Sequence, residues 1–405
     1  MTDIRKPCVD PADFTRLDPI PQVGIERATA IMQSGKLFRY AGKRPEDSEV
    51  ALLEREFAHY IGTRHALAVS SCTQAIELAL LACGVGAGSR VLVPGFTFTA
   101  VPSAIVILGA TPVFVECNDD YRIDLDDLAR KVGEGAGILL LSHMRGHTSD
   151  MDAIASLCAA HDVTLIEDAA HALGVRWGDR QVGTFGRASC FSFQSNKIVN
   201  AGEGGMLATD DDEIFVKATY LSGAYENNYR KHFGHSALFD TYAGQFPAHN
   251  VRMNNLTAAV ARPQIAMIDA RGARYREMHA YLREQLADIV EFPREFPQET
   301  RVPDSIQFRV PRYGPGQMQA FIERVQADGL PLSGFADARN ARAFYNWHYL
   351  GKDMPDLPQT RKAIQNACDM RLSTTLGKAH LDYLVESVRN AVRAVDAMPG
   401  RTFAS

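Results

Sequence analysis

Between about residue 50 and 265 the chain repeats one rhythm, a short apolar run followed by a helical stretch. "HALAVS" reads as a strand and "TQAIELALLACGV" as a helix ending at glycine; "RVLVP", "TPVFVE", "GILLLSHM" and "VTLIED" repeat the strand half. "TAVPSAIVILG" and "MDAIASLCAAHD" supply further helices. Strands apolar along their whole length are buried on both faces, and helical crossovers keep neighbours parallel. The pattern predicts a mostly parallel sheet covered by helices on both sides. After "TLIED" the rhythm changes: "ALGVRW", "ASCFSF" and "GGMLATD" follow with short turns, which predicts pairing at a sheet edge.

Beyond residue 265, "IAMIDARGARYREMHAYLREQLAD" predicts a long charged helix, "SIQFRVPRY" a strand, and "MQAFIERVQADG" and "KAHLDYLVESVRNAVRAVDAM" two more helices. The expected organisation is an N-terminal segment over 1–40, a large domain over 41–265 and a smaller α/β domain over 266–405. A chain of 405 residues is too long for one simple core. Its formal charge of -5 argues against nucleic acid or an anionic membrane as partner. No apolar run reaches membrane-span length, and the start "MTDIRKPCVDPADF" has no signal core. Seven cysteines stand at 8, 72, 83, 117, 158, 190 and 368 without a CxxC pair. That spacing suggests neither a metal site nor a disulfide framework, and a cytoplasmic setting with reduced thiols is expected.

In open α/β sheets ligands bind at the carboxyl ends of the strands. Four features fall there. "SSCT" (Ser70 to Thr73) joins a strand to a helix and offers N–H groups to a phosphate, although an N-capping threonine explains it as well. "GFTF" carries Phe98, either a core ring or a platform. "SHMRGH" brings two histidines and Arg145 to another strand end. "IEDAAHALG" places Asp168 directly after a buried strand and His171 three residues later. A carboxylate there is costly unless paired; it is either an N-cap or a partner for a cationic ring nitrogen.

Lys197 lies in "FSFQSNKIVNAGEGGMLATDD", 29 residues beyond Asp168, and is the one charge in the otherwise uncharged run between Arg187 and Glu203. A surface loop would tolerate it. With an aspartate, a phosphate turn and an aromatic ring at neighbouring strand ends, however, it completes the set that pyridoxal 5′-phosphate (PLP) requires. The lysine would bond the cofactor aldehyde and move a proton, and the acid would keep the pyridine nitrogen protonated. Uncharged surroundings favour the neutral, nucleophilic amine.

The blocks "EDAAHALG" and "GTFGRASCFSFQSNKIVNAGEGGMLATDD" resemble the aspartate and lysine blocks of the DegT/StrS aminotransferases, a branch of the fold type I PLP enzymes. "LEREFAHYIGTRHALAVSSCTQAIELALLACGVGAGSRVLVPGFTFTA", "SHMRGHTSDMDAI" and "HNVRMNNLTAAVARPQI" are similar to further family segments, so the likeness runs from about residue 20 to 395. It implies a PLP-transferase fold with a large domain and a smaller C-terminal α/β domain. It also implies that Lys197 holds PLP, that Asp168 binds its ring nitrogen and that His171 lies beside the ring. Phe98 would stack on the ring, and Cys72, Thr73 and Ser192 would hold the phosphate. Asn250 and Arg252 would reach the phosphate of a neighbouring subunit, making a homodimer with shared active sites.

The implied activity moves an amino group from glutamate or glutamine to a small polyhydroxylated ketone, a keto-sugar or ketocyclitol. Three departures stand out. Cys72 replaces a usual glycine, His171 replaces the glutamine of many sugar aminotransferases, and Tyr225 to His249 matches no pattern. His171, "SFQSNK" and "HMRG" are closer to the 3-amino-5-hydroxybenzoate synthase and cyclitol members, which leaves a dehydrating, aromatising lyase as the alternative. Retained Lys197 counts against a sugar 3-dehydratase. A PLP-binding regulator would need a DNA-binding module, and none is visible. Arg145, Arg230 and Lys231 are the cations that could converge on a diphosphate; without such a cluster a non-nucleotide acceptor is favoured.

Overall fold

The computed structural model describes residues 9–398. Cys8, the first eight residues of the expected 1–40 segment and the last seven of the expected 266–405 domain lie outside them. The main sheet is built from β1 (His65–Val69), β2 (Arg90–Pro94), β3 (Thr111–Val115), β4 (Ile138–Ser142) and β5 (Thr164–Asp168). A small hairpin of β6 (Arg176–Trp177) and β7 (Arg180–Gln181) precedes its last two strands, β8 (Ala188–Ser192) and β9 (Gly205–Thr209). The order across the sheet is β1-β9-β8-β5-β4-β2-β3. Only β9 runs against its neighbours; the other pairings are parallel.

Alternation along each strand splits the apolar side chains into two cores. Leu67, Val93, Leu140, Ile166 and Leu207 point to one face; Ala68, Leu92, Leu141, Leu165 and Met206 point to the other. Each core is sealed by helices, Cys72–Ala82 and Asp212–Leu221 on the first face and Glu49–Ile61 on the second.

β8 and β9 correct the expected edge pairing. They sit inside the sheet between β5 and β1, and all ten of their residues are buried. Their uniformly apolar or small residues suit a strand covered on both faces. The connection from β5 to β8 is parallel but is made by the β6–β7 hairpin rather than a helix.

Farther on, β11 (Ser305–Arg309), β12 (Ser333–Gly334) and β13 (Ala367–Arg371) form a three-stranded antiparallel sheet; β10 (Glu299–Thr300) pairs instead with β6. Helices Ile268–Leu286, Pro315–Ala327 and Lys378–Asp396 accompany this smaller sheet. Its core continues without a break into the second core of the large sheet. The stretch 335–357 returns to the first core, where Trp347 packs on Phe114 with ring centroids 5.6 Å apart.

Candidate active site

Register brings the strand ends to one edge. Ser142 pairs with Asp168, and Gly205 pairs with both Val69 and Ser192. The turn between β8 and β9, which carries Lys197, therefore stands beside the start of the helix Cys72–Ala82. Gly205 permits this approach, because a Cβ there would fall 2.5 Å from the Cys72 nitrogen. Ser71, not Thr73, is the N-cap, its Oγ accepting from the Gln74 N–H at 3.2 Å. The first-turn N–H groups of Cys72 and Thr73 have no intrahelical acceptor.

These ends enclose a cavity of about 380 Å³ lined by Cys72, Thr73, Phe98, Asp168, His171, Ser192 and Lys197 among others. Asp168 is buried at its base. It accepts from the Ser142 hydroxyl at 2.7 Å and from the Ala170 N–H at 3.1 Å. The Cys72 thiol lies 3.8 Å from the same carboxylate, and burial, then Asp168, pushes its pKa well up, so it stays protonated. Lys197 Nζ stands 2.8 Å from Nε2 and 3.2 Å from Nδ1 of His171. Burial is the largest influence on the amine; Asp304 opposes it, Arg145 and Arg371 assist, and the pKa comes down to about 7. Burial, then Lys197, drives the His171 pKa well below the ordinary value, so the imidazole is neutral. Phe98 is 41% exposed and reaches the cavity from the loop after β2.

"SHMRGH" divides its labour. His143 is consumed by Glu167 beneath the sheet at 3.0 Å, and His147 by Gln307 at 3.0 Å. Ser142, Met144 and Arg145 line the cavity, and of the segment's basic side chains only Arg145 does so. It adopts φ 55° before Gly146 at φ 71°, where a Cβ would press to 2.9 Å from the His171 carbonyl oxygen. Arg230 and Lys231 do not join it; Lys231 donates to the Tyr40 carbonyl and Arg230 lies 3.9 Å from Asp240. Nevertheless a basic cluster exists, because Arg342 and Arg371 line the cavity with Arg145. The expectation of a site without clustered cations is overturned. Neither arginine sits in a motif; Arg371 ends β13, and Arg342 sits in irregular chain. Asn250 is exposed, and neither it nor Arg252 lines this cavity.

The donor set fits PLP: a buried carboxylate with remaining acceptor capacity, an amine of lowered pKa, an aromatic ring, and a helix N-terminus suited to phosphate. Residues 22–389 match the DegT/DnrJ/EryC1/StrS aminotransferase family. The chain is 34% identical over 323 residues to 3-amino-5-hydroxybenzoate synthase of Amycolatopsis mediterranei (strain S699), covering 78% of this chain and 79% of that protein. It is 34% identical over 239 residues to GDP-perosamine synthase of Vibrio cholerae, a match that spans only 62% of that protein and 58% of this chain. A crystal structure of 3-amino-5-hydroxybenzoic acid synthase superposes with a TM-score of 0.81 at 28% identity, over 94% of this chain and 99% of the other. Helix-covered sheet, cavity and sequence agree: the chain belongs to the DegT/DnrJ/EryC1/StrS aminotransferase family and is a PLP-dependent aminotransferase.

Proposed function

We propose that the protein transfers an amino group from glutamate or glutamine to the carbonyl of a small polyhydroxylated ketone, keto-sugar or ketocyclitol-like, in a biosynthetic route in the cytoplasm. The observation carrying this reading is that Lys197 Nζ and the Asp168 carboxylate share one cavity at the sheet edge. When bound, PLP supplies an aldehyde for amines and a ring that withdraws electrons.

Lys197 would hold the cofactor and then, released, move a proton at Nζ; a pKa of about 7 suits both taking and returning it. Asp168 would keep the ring N–H in place, itself oriented by Ser142. Neutral His171 would orient the Lys197 amine. Phe98 would cover the ring and exclude water, while the Cys72 and Thr73 N–H groups and Ser192 would hold the phosphate. Incubating the PLP-loaded protein with each donor should bleach the visible absorbance of the lysine-bound cofactor and release the keto acid. No response to any amino acid donor would overturn the assignment.

Asn250 and Arg252 support the reading of a homodimer with shared active sites. Arg252 donates to the Gly223 carbonyl at 2.6 Å and lies over Phe38 and Tyr225, rings 49% and 48% exposed. Solvent-facing rings beside an unused asparagine suit a subunit contact that lends both residues to a partner's site. Mixing inactive Lys197→Ala chains with inactive Asn250→Ala chains should restore activity; absence of recovery would remove the shared site.

The second reading, an aromatising lyase, rests on the likeness to 3-amino-5-hydroxybenzoate synthase. Turnover that releases water without consuming a donor would favour it.

A further inference from the structure

The cavity holds more positive charge than its own carboxylates compensate. Arg145 is ion-paired with Asp369, which also accepts from the Gln307 amide at 2.8 Å. Arg371 lies 3.7 Å from Asp304. Asp168 faces Ser142 and the cofactor position. Glu203, the remaining carboxylate of the lining, is exposed at the rim and makes no ion pair among the described residues. Arg342 is left over. Among the described residues no carboxylate lies within 4 Å of its guanidinium, and its buried Nε has no hydrogen-bond partner.

This arginine is nevertheless held in place. The carbonyl before it, at Ala341, accepts from the Thr99 N–H at 3.0 Å and from the Trp347 indole at 2.9 Å. The residue after it, Ala343, bridges to Phe96. Its guanidinium lies 5.6 Å from the ring centroid of Phe98. The fold therefore fixes an unpaired cation between the loop after β2 and the mouth of the cavity. Its surroundings lower its pKa to about 10, burial first and Arg145 next, which leaves it charged at neutral pH.

We propose that Arg342 is a specificity residue whose guanidinium binds a carboxylate on the carbonyl acceptor, so that the acceptor is an acidic ketone rather than a neutral sugar. The inference rests on the aminotransferase reading above. In a two-stage transfer both substrates meet the same reactive centre in turn. An amino acid donor brings a carboxylate that neutralises Arg342 in the first stage. A neutral acceptor would leave the guanidinium desolvated and uncompensated in the second, and such a group is costly. One planar fork matches one carboxylate.

The test uses ring compounds that differ in one group. After donor treatment, re-oxidation of the PLP-loaded protein is followed with 3-oxocyclohexanecarboxylate and with 3-oxocyclohexanecarboxamide. In parallel, calorimetry measures binding of unreactive cyclohexanecarboxylate and cyclohexanecarboxamide. The wild type should favour each acid over its amide by about 10- to 100-fold, the range of a charge-assisted hydrogen bond. Arg342→Gln should erase that preference in both arms without weakening the amides, and Arg342→Lys should restore part of it. Equal use of acid and amide by the wild type, or an acid preference that survives Arg342→Gln, would overturn the proposal. If no donor converts the cofactor but the calorimetric preference holds and depends on Arg342, the aminotransferase reading fails and the carboxylate site stands.

Discussion

Glu167 and Asp168 are consecutive at the end of β5, both buried, and they face opposite sides of the sheet. Beneath the sheet, Glu167 accepts from His143 at 3.0 Å and from the N–H groups of Gly183, Phe185 and Gly186 at 2.8, 2.7 and 2.7 Å. Above it, Asp168 has a hydroxyl, one N–H and a distant thiol. Two histidines follow the same division. His143 is spent on Glu167, whereas His171 meets the Lys197 amine. A buried carboxylate whose acceptor sites are filled by its own chain serves structure. One with spare capacity towards a cavity is available for chemistry.

Changing the cavity side at Lys197 should have the largest effect. Lys197→Ala should lower turnover by on the order of 10²–10⁴-fold or more and abolish the lysine-bound cofactor absorbance, with the circular dichroism of the fold unchanged. Near wild-type turnover would dissolve the contrast between the two faces.

The paired substitutions sharpen it next. Glu167→Gln breaks a buried pair and strands backbone donors, so it should destabilise the protein by about 3–5 kcal/mol. Burial raises the Glu167 pKa, but His143 and the backbone N–H groups outweigh it and hold the carboxyl below its usual value. That stabilisation is present above the unfolded pKa of about 4.3 and is lost as pH falls through the folded one. Glu167→Gln should therefore flatten the acid limb of the stability curve. Asp168→Asn should instead slow the donor half-reaction by about 10- to 100-fold, the worth of a charge-assisted bond, with a smaller loss of stability. The opposite pattern, in denaturation and stopped-flow measurements, would reverse the roles.

The smallest effect is a shift along the pH axis. In the cofactor-free protein, Lys197 should react with a small amine reagent at a rate half-maximal near pH 7, because its pKa is lowered to about 7. A rate still climbing towards pH 10, read by peptide mass mapping, would mean an ordinary solvated lysine.

Much of this was legible in the chain. Apolar runs at crossover spacing specified the parallel strands β2, β3, β4 and β5, because burial on both faces leaves an unmistakable composition. Lys197 stands out as a lone charge among uncharged neighbours, and Asp168 as a carboxylate directly after a strand apolar enough to be buried. The place of β8 and β9 was not legible. "ASCFSF" and "GGMLATD" say that the strands are buried, but not which neighbours they take, and short connecting turns pointed to an edge.

Which hydroxyl caps the helix is not legible either: Ser71 and Thr73 stand two positions apart, and only the backbone conformation shows that Ser71 performs the task. The two histidines of "SHMRGH" looked functional by type. Their partners, Glu167 and Gln307, decided otherwise.

By itself the sequence determined the layered α/β architecture and the strand-end position of the residues proposed to hold PLP, because periodicity and local turn chemistry act over a few residues. The tertiary structure alone decided which charges surround that site. Arg342 lies 145 residues and Arg371 174 residues beyond Lys197, and both arrive through β13 and the returning stretch after β12. Electrostatic interactions depend on distance and local dielectric, not on separation along the chain. No motif announces them, and only packing shows that one cation has been left without a partner.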